Sequence, residues 1–245
     1  MQISLENVDL NELTERCVGR SETFQKAIQG AAAKVMVQSL VVCQPSNYFR
    51  ELALALVIRT MLCKQGQQGS PNPSISSRIS LITSFVQGVN CTKDLIQGGY
   101  HAKAAAVLKQ DYELLTRIRE VVVGEAKDGS TPNVKHAPAG SQRIYGALND
   151  FAHPSKESLM IRHLEQVDAN GIRGVSPFPV FRKRTVELHW WTHVWLIYEV
   201  SREALKLLAE NYGEQDANVL DCFNRFQMVE EEGLRCGVLL LKENS

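Results

Sequence analysis

Apolar residues recur at helical spacing along almost the whole chain, and no run alternates with the period of two that marks a strand. The clearest seam is formed by Ile75, Ile79, Ile82, Val86 and Val89, which are separated by 4, 3, 4 and 3 residues. Such spacing places apolar side chains on one face of an amphipathic helix. The pattern therefore predicts an all-α protein.

This seam belongs to a predicted helix that runs to about Gln97 and is ended by Gly98-Gly99. A second helix is predicted from Tyr100 to about Val123, with the same kind of apolar face. Because the break between them is short, the two helices are expected to form an antiparallel hairpin.

Caps and prolines predict the helices before this hairpin. Ser21 is a candidate N-cap for a helix that Pro45 should stop, and Ser46 can cap the next, from Tyr48 to about Lys64. The second of these helices is apolar nearly all round. It is therefore expected to be the central helix of the bundle.

The remaining helices are predicted from the same signals, and polar segments rich in Gly and Pro separate them. The first expected helix is Ser141–Ala152, which Pro154 stops, and the second is Lys156–Val167, which Ser155 caps. A long helix is expected over about 182–210 and a last one over Ala217–Glu231. The expected loops are 64–74, 124–140 and 168–179. The tail, 234–241, fits either a helix or a short strand. The fold predicted is a single domain over residues 1–245, an up-down helical bundle with long loop excursions, its last helices lying at about 182–231.

Composition excludes several function classes. Lys+Arg and Asp+Glu both total 27, so the formal net charge is zero and no overall field attracts polyanions. Any nucleic-acid site must then be a local patch. No apolar stretch reaches the roughly 20 residues needed to span a bilayer, and the first residues do not resemble a signal peptide. We therefore expect a cytoplasmic protein that does not enter a membrane.

Six cysteines are scattered along the chain without a Cys-x-x-Cys pair. This spacing predicts reduced thiols, mostly small core residues, rather than a disulfide framework or a zinc knuckle. No phosphate-binding loop, nucleophile elbow or dinucleotide fingerprint is present either. No cofactor is expected.

The densest group of chemically capable side chains lies between Ser141 and Lys156. On a helix, Asn149 and Asp150 both share a face with His153. A carboxylate beside an imidazole fixes its tautomer and raises its basicity, as a general base requires. A histidine that ends a helix just before a proline is also favourable for purely structural reasons. Both interpretations stay open.

Motifs around this segment resemble a known group of proteins. They are a Gly-Gly-Tyr helix start at Gly98, Gly99 and Tyr100, an acidic mid-helix residue at Glu113, and a Tyr-x-x-Leu-x-x-x-x-His-Pro stretch at Tyr145, Leu148, His153 and Pro154. Over about residues 75–156, a third of the chain, the sequence resembles uncharacterised bacterial all-helical proteins related to the HEPN superfamily. The resemblance implies a helical bundle, often dimeric, in a superfamily that includes metal-independent ribonucleases of defence and toxin–antitoxin systems and inactive relatives.

In the nuclease members an Arg, a polar residue and a His act together on the RNA backbone. The resemblance places His153 at the His position, whereas Arg143 lies ten residues upstream, about 80° around a continuous helix from His153. In the ribonuclease hypothesis His153 is the acid or base, Asn149 or Asp150 orients it, and Arg143 neutralises the phosphate.

Two further patterns are candidates for binding. His189 and His193 are separated by one helical turn and can share a metal ion, although no third ligand is indicated and histidines among tryptophans are more often packing residues. Arg182, Lys183 and Arg184, near Phe178 and Phe181, can contact nucleic-acid phosphates or form ordinary solvated surface.

Two main hypotheses follow. The first is a cytosolic helical protein that acts through binding or oligomerisation, without catalysis, as a homodimer with an unidentified protein partner. The alternative is a metal-independent ribonuclease of the HEPN type, with RNA as its partner. A helical metal protein that uses His189 and His193 is a third, less supported version.

Overall fold

A computed structural model describes residues 10–69, 72–153, 156–167 and 171–239. These residues form seven α-helices, one turn of 3₁₀ helix and one short β-hairpin. In chain order they are α1 (Leu10–Leu62), α2 (Pro73–Gln97), α3 (His101–Val122), the 3₁₀ turn (Val134–His136), α4 (Gln142–Ala152), α5 (Glu157–Leu164), β1 (Glu165–Val167), β2 (Arg173–Val175), α6 (Lys183–Tyr212) and α7 (Ala217–Arg235). The all-α prediction is confirmed.

The central helix is α6, which packs against α1, α2, α3 and α7. Its buried side chains surround it on nearly every side, and they include Val194, Leu196 and Ile197. The second half of α1 was expected in this place, and that expectation is wrong. Although Phe49 and Val57 are buried there, Leu62 is 55% exposed, so α1 lies at the periphery.

The helical hairpin of α2 and α3 is confirmed. Asn72 caps α2, its side chain accepting a hydrogen bond from the Ser74 amide (2.9 Å), and Pro73 stands in the first turn, where its missing N–H costs no helical bond. The turn between the two helices contains Gly99, whose φ of +78° favours glycine.

The predicted break at Pro45 is wrong, because α1 continues through it and already includes residues well before Ser21. A proline removes one backbone hydrogen bond, but tertiary contacts hold the flanking turns on α6. Trp190 Nε1 donates to Ser46 Oγ (3.0 Å), and the buried guanidinium of Arg50 donates through Nε to His193 Nε2 (3.2 Å).

The prediction of helix as far as Val167 is also wrong. Helix α5 ends at Leu164, and β1 pairs antiparallel with β2, with Gln166 opposite Gly174. The Ser176 amide then donates to the Leu164 carbonyl (2.8 Å). The hairpin therefore returns the chain to α5 just before α6 begins.

The loop between α3 and α4 lies against α3. Arg117 donates to the carbonyls of Lys127 (3.0 Å) and Ser130, and Glu125 pairs with Lys135. The six cysteines are free: Cys43 and Cys222 are buried, whereas Cys17 and Cys91 are exposed. Among the described residues, no helix is long and apolar enough to cross a membrane. Pro154, Ser155 and the end of the predicted tail lie outside the described residues.

Candidate functional site

The side chains of Glu113 and Tyr145 meet between α3 and α4. The Tyr145 hydroxyl donates to Glu113 Oε1 (2.9 Å), and Lys109 Nζ lies 3.8 Å from the same oxygen and 5.7 Å from the Tyr145 ring centroid. Burial and the Glu113 carboxylate raise the pKa of Tyr145 to about 12. This phenol therefore keeps its proton at neutral pH and fastens α4 to α3.

The predicted ribonuclease residues are spread along α4. Arg143 lies near its start and His153 directly follows its end, about 15 Å apart along the axis at 1.5 Å per residue, and both are exposed. The Asp150 carboxylate lies 3.6 Å from Lys156 Nζ, and the Asn149 carbonyl accepts from the His153 amide (3.0 Å). Within one chain the structure does not bring Arg143 and His153 to one phosphate. Their catalytic role stays a prediction.

The basic residues at the start of α6 do not form one outward-facing patch. Lys183 Nζ lies 3.8 Å from Glu187 Oε1, and Arg184 is exposed. Arg182 is half-buried, and its guanidinium donates to the Glu165 carbonyl. Nucleic-acid binding by these three residues stays a prediction. Arg182 contacts β1, unlike the exposed Lys183 and Arg184.

His189 and His193 are both fully buried on α6 but have different neighbours. His193 accepts from Arg50, so one of its ring nitrogens is already used. Within the described part of the chain, no group of three or more His, Cys, Asp and Glu is arranged to hold a metal ion. A metal site at this pair therefore finds no third ligand among the residues that the structure describes.

His189 instead joins two histidines that the sequence did not single out. The ring centroid of His101, the first residue of α3, lies 6.0 Å from that of His163 on α5 and 6.1 Å from that of His189. The Phe151 ring packs against His163 (4.5 Å) and His189 (5.5 Å). We call His101, His163 and His189 the histidine cluster.

A cavity of about 250 Å³ opens beside this cluster. We call it the histidine pocket. Its wall contains the start of α3, the end of α5 and the segment before α6, with the lining residues Gly99, Tyr100, His101, Ala102, Lys103, His163, Leu164, Pro177, Phe178, Pro179 and Val180. No carboxylate is among these lining residues.

Buried polar atoms without partners concentrate here. In the described part of the chain, eight buried side-chain nitrogen or oxygen atoms lack a hydrogen-bond partner, and five of them belong to this region: His101 Nδ1, His163 Nδ1, both ring nitrogens of His189 and Arg182 Nε. An unsatisfied buried polar group costs about 1–3 kcal/mol and is rare in folded proteins. Such a concentration makes the histidine cluster the least satisfied polar region among the described residues.

The cluster is electrically neutral but surrounded by positive charge. Burial lowers the pKa of His101 to about 4 and that of His189 to about 3, and burial together with the Arg182 and Arg162 charges lowers the pKa of His163. At neutral pH the three imidazoles are uncharged. Lys103 lies in the wall, and the charges of Arg182 and Arg162 act on the cluster from nearby.

The hydrogen bond of His101 fixes its tautomer. His101 Nε2 lies 2.7 Å from the Val180 carbonyl, which can only accept, so Nε2 carries the proton. Nδ1 of the neutral ring is therefore a bare lone pair in a buried position. The proton position follows from this geometry.

The start of α3 adds backbone donors. Tyr100, at the N-cap, makes no side-chain cap hydrogen bond, and the first amide bonded within the helix is that of Ala104, to the Tyr100 carbonyl (2.8 Å). The amides of His101, Ala102 and Lys103 precede it at the positive end of the helix dipole. This helix end, Lys103 and the half-buried His163 converge on one cavity.

No protein-family model matches the chain, and neither the curated proteins nor the solved structures contain a significant match. The likeness to HEPN-related proteins therefore stays a prediction.

Proposed function

We propose that this protein is a non-catalytic binding protein that holds a small anion in the histidine pocket. The observation that carries the proposal is the cavity lining, which includes a lysine, a helix N-terminus and two neutral histidines but no carboxylate. Helix N-termini favour anions because their amides and dipole both present positive charge.

The size and charge of the pocket limit the ligand. A volume of about 250 Å³ lies just below the range usual for drug-sized ligands, so the occupant is a small metabolite or the end group of a larger one. A bound cation is disfavoured because Lys103 and Arg182 would repel it.

We expect Lys103→Ala to weaken the binding of inorganic phosphate about tenfold. The reason is that one charge-assisted hydrogen bond is worth about 1.5–3 kcal/mol and each 1.4 kcal/mol changes affinity tenfold. Titration calorimetry at low ionic strength measures the effect. Lys127→Ala, an exposed lysine in the loop after α3, is the matched control and should bind like the wild type. Equal losses in both variants, or no phosphate binding by the wild type, would contradict the proposal.

A second candidate function, self-association, is supported by the outer face of α1. Val37, Leu40, Val41 and Tyr48 are 66%, 48%, 73% and 60% exposed and follow one another at helical spacing. Residues 14–27 of the same helix are exposed throughout. A helix this long that leaves an apolar row in water gains stability by pairing. We propose a homodimer formed through this row.

The double variant V37K/V41K is expected to raise the dimer dissociation constant at least tenfold, because it places charges in an apolar contact. Sedimentation velocity over a range of concentrations measures it. Val123→Lys, at a valine that is 56% exposed just after α3, is the control. A wild type that stays monomeric at high micromolar concentration would exclude this interface.

A further inference from the structure

The apolar row on the outer face of α1 continues to the end of the helix in a regular repeat. Eight exposed residues follow one another at alternating steps of four and three positions: Val37, Val41, Gln44, Tyr48, Glu51, Ala55, Ile58 and Leu62. All but Gln44 and Glu51 are apolar or aromatic, and Leu62 is 55% exposed. A strict seven-residue repeat is the pattern by which two helices pair along a common seam. We call these eight residues the outer seam.

The protein core uses the opposite face of the same helix. Cys43, Phe49, Ala53, Leu56 and Val57 are buried, and none of them belongs to the outer seam. The seam is therefore a second apolar face of α1, separate from the one that packs on α6. At 1.5 Å per residue it runs for about 38 Å, a length over which a covering helix would bury every apolar side chain of the seam.

Helix α7 gives the outer seam a charged border on one side. Arg59 of α1 donates to Asp221 Oδ2 (3.2 Å), and Arg225, one turn later on α7, donates to the same oxygen (2.9 Å). Farther along α7, Arg235 lies within electrostatic range of Tyr48. An apolar strip that ends at charged side chains has the layout of an interface, with an apolar centre and a polar rim.

The position of Glu51 limits how a second copy of α1 can cover this strip. In a parallel pair each seam residue faces its own copy, so the two Glu51 carboxylates meet and repel each other. In an antiparallel pair about a twofold axis between Tyr48 and Glu51, each carboxylate faces the tyrosine of the other copy. The phenol hydroxyl can donate to that carboxylate, and Arg235 adds a positive charge nearby.

Resting on the proposed self-association, we infer that two copies pair their α1 helices antiparallel, in the register that sets Tyr48 against Glu51 of the second copy. The other pairs along the seam are Val37 with Leu62, Val41 with Ile58 and Gln44 with Ala55. A shift by one heptad in either direction leaves two apolar residues at one end of the seam uncovered and separates Tyr48 from Glu51. The arrangement is closed, because each copy uses the same surface.

Two matched double variants at exposed positions test the orientation. In V41E/I58K the antiparallel pair brings each introduced carboxylate against an introduced ammonium group, whereas a parallel pair brings like charges together. In V41K/I58K like charges meet in either orientation. We expect V41E/I58K to dimerise at least tenfold more tightly than V41K/I58K, because like charges in contact are strongly unfavourable. Sedimentation velocity at low ionic strength measures the two dissociation constants, and added salt should reduce their difference.

Circular dichroism of both variants should match that of the wild type, since both positions are exposed. Equal dissociation constants, or no detectable dimer of V41E/I58K, would overturn the antiparallel pairing and leave the proposed self-association standing where the wild type still dimerises. A wild type that is monomeric at high micromolar concentration would overturn both and leave a helix of a different protein as the occupant of the seam.

Discussion

Acidification from pH 7 to pH 4 is expected to remove about 5 kcal/mol of the free energy of unfolding. His101, His189 and His193 are buried and neutral, with pKa values lowered to about 4, 3 and 3. The unfolded chain takes up protons near pH 6.5 and the folded protein does not. Their contribution to stability is therefore complete above pH 6.5 and is lost as the pH falls toward the folded pKa values.

The sizes of two opposing contributions decide whether the free energy of unfolding falls or rises on acidification. Each pH unit between the unfolded and folded pKa values is worth about 1.4 kcal/mol, so each histidine accounts for about 3 kcal/mol by pH 4. Asp111 acts in the opposite direction: burial raises its pKa to about 7, although the Thr92 hydroxyl donates to it (3.1 Å). Its contribution grows by about 4 kcal/mol as the pH falls from 7 to 4. The three histidines together outweigh it.

Urea denaturation at pH 7 and pH 4 measures this difference. In His189→Leu, which removes one buried imidazole at similar volume, the loss between the two pH values should be about 3 kcal/mol smaller than in the wild type. His153→Leu, at the exposed end of α4, serves as the control and should follow the wild type. A His189→Leu profile parallel to that of the wild type would contradict the neutral, buried state of the cluster.

Gly99→Ala is expected to lower the free energy of unfolding by about 3 kcal/mol. An alanine at φ +78° costs about 1–2 kcal/mol in backbone strain. Its Cβ would also lie 2.7 Å from Val35 Cγ1 and 2.9 Å from the Val180 carbonyl oxygen, and such crowding costs about 1–3 kcal/mol. The melting temperature should fall by about 6–12 °C for a chain of this length.

The variant Gly140→Ala distinguishes backbone strain from steric crowding as the cause of the lost stability. Gly140 has a similar φ of +80°, but no atom lies within 4 Å of the added Cβ, so only backbone strain remains and the loss should be about 1–2 kcal/mol. Because Gly99→Ala also displaces the carbonyl that holds His101, it should weaken phosphate binding, whereas Gly140→Ala should not. Equal effects of both variants on stability and binding would show that the close approach at Gly99 is unimportant.

The helices with one clear apolar seam were predictable from sequence, because period and caps act locally. The predicted end of α2 at Gln97 and the start of α3 at Tyr100 agree with the structure to within one residue. The predicted break at Pro45 is wrong because contacts with α6 outweigh the loss of one hydrogen bond. The β-hairpin was missed although Asn170-Gly171 in the sequence is a strong hairpin signal.

The candidate site was mostly beyond the reach of sequence reasoning. His189 and Arg182 were named, but as part of a metal pair and a surface patch. His101 and His163 are isolated histidines with no spacing that marks them, and only the packing of α3, α5 and α6 brings them together. The contact between Glu113 and Tyr145 was not predicted either, although both residues were noted on successive predicted helices.

The most direct measurement of the anion site is a nitrogen-detected NMR titration of the six histidine side chains with inorganic phosphate at pH 7. The ring signals of His101 and His163 are expected to change with phosphate concentration, because both residues line the pocket. The signals of His136 and His153, which lie outside the pocket, should stay in place. Changes confined to His136 or His153, or no changes at His101 and His163 at saturating phosphate, would contradict the anion site.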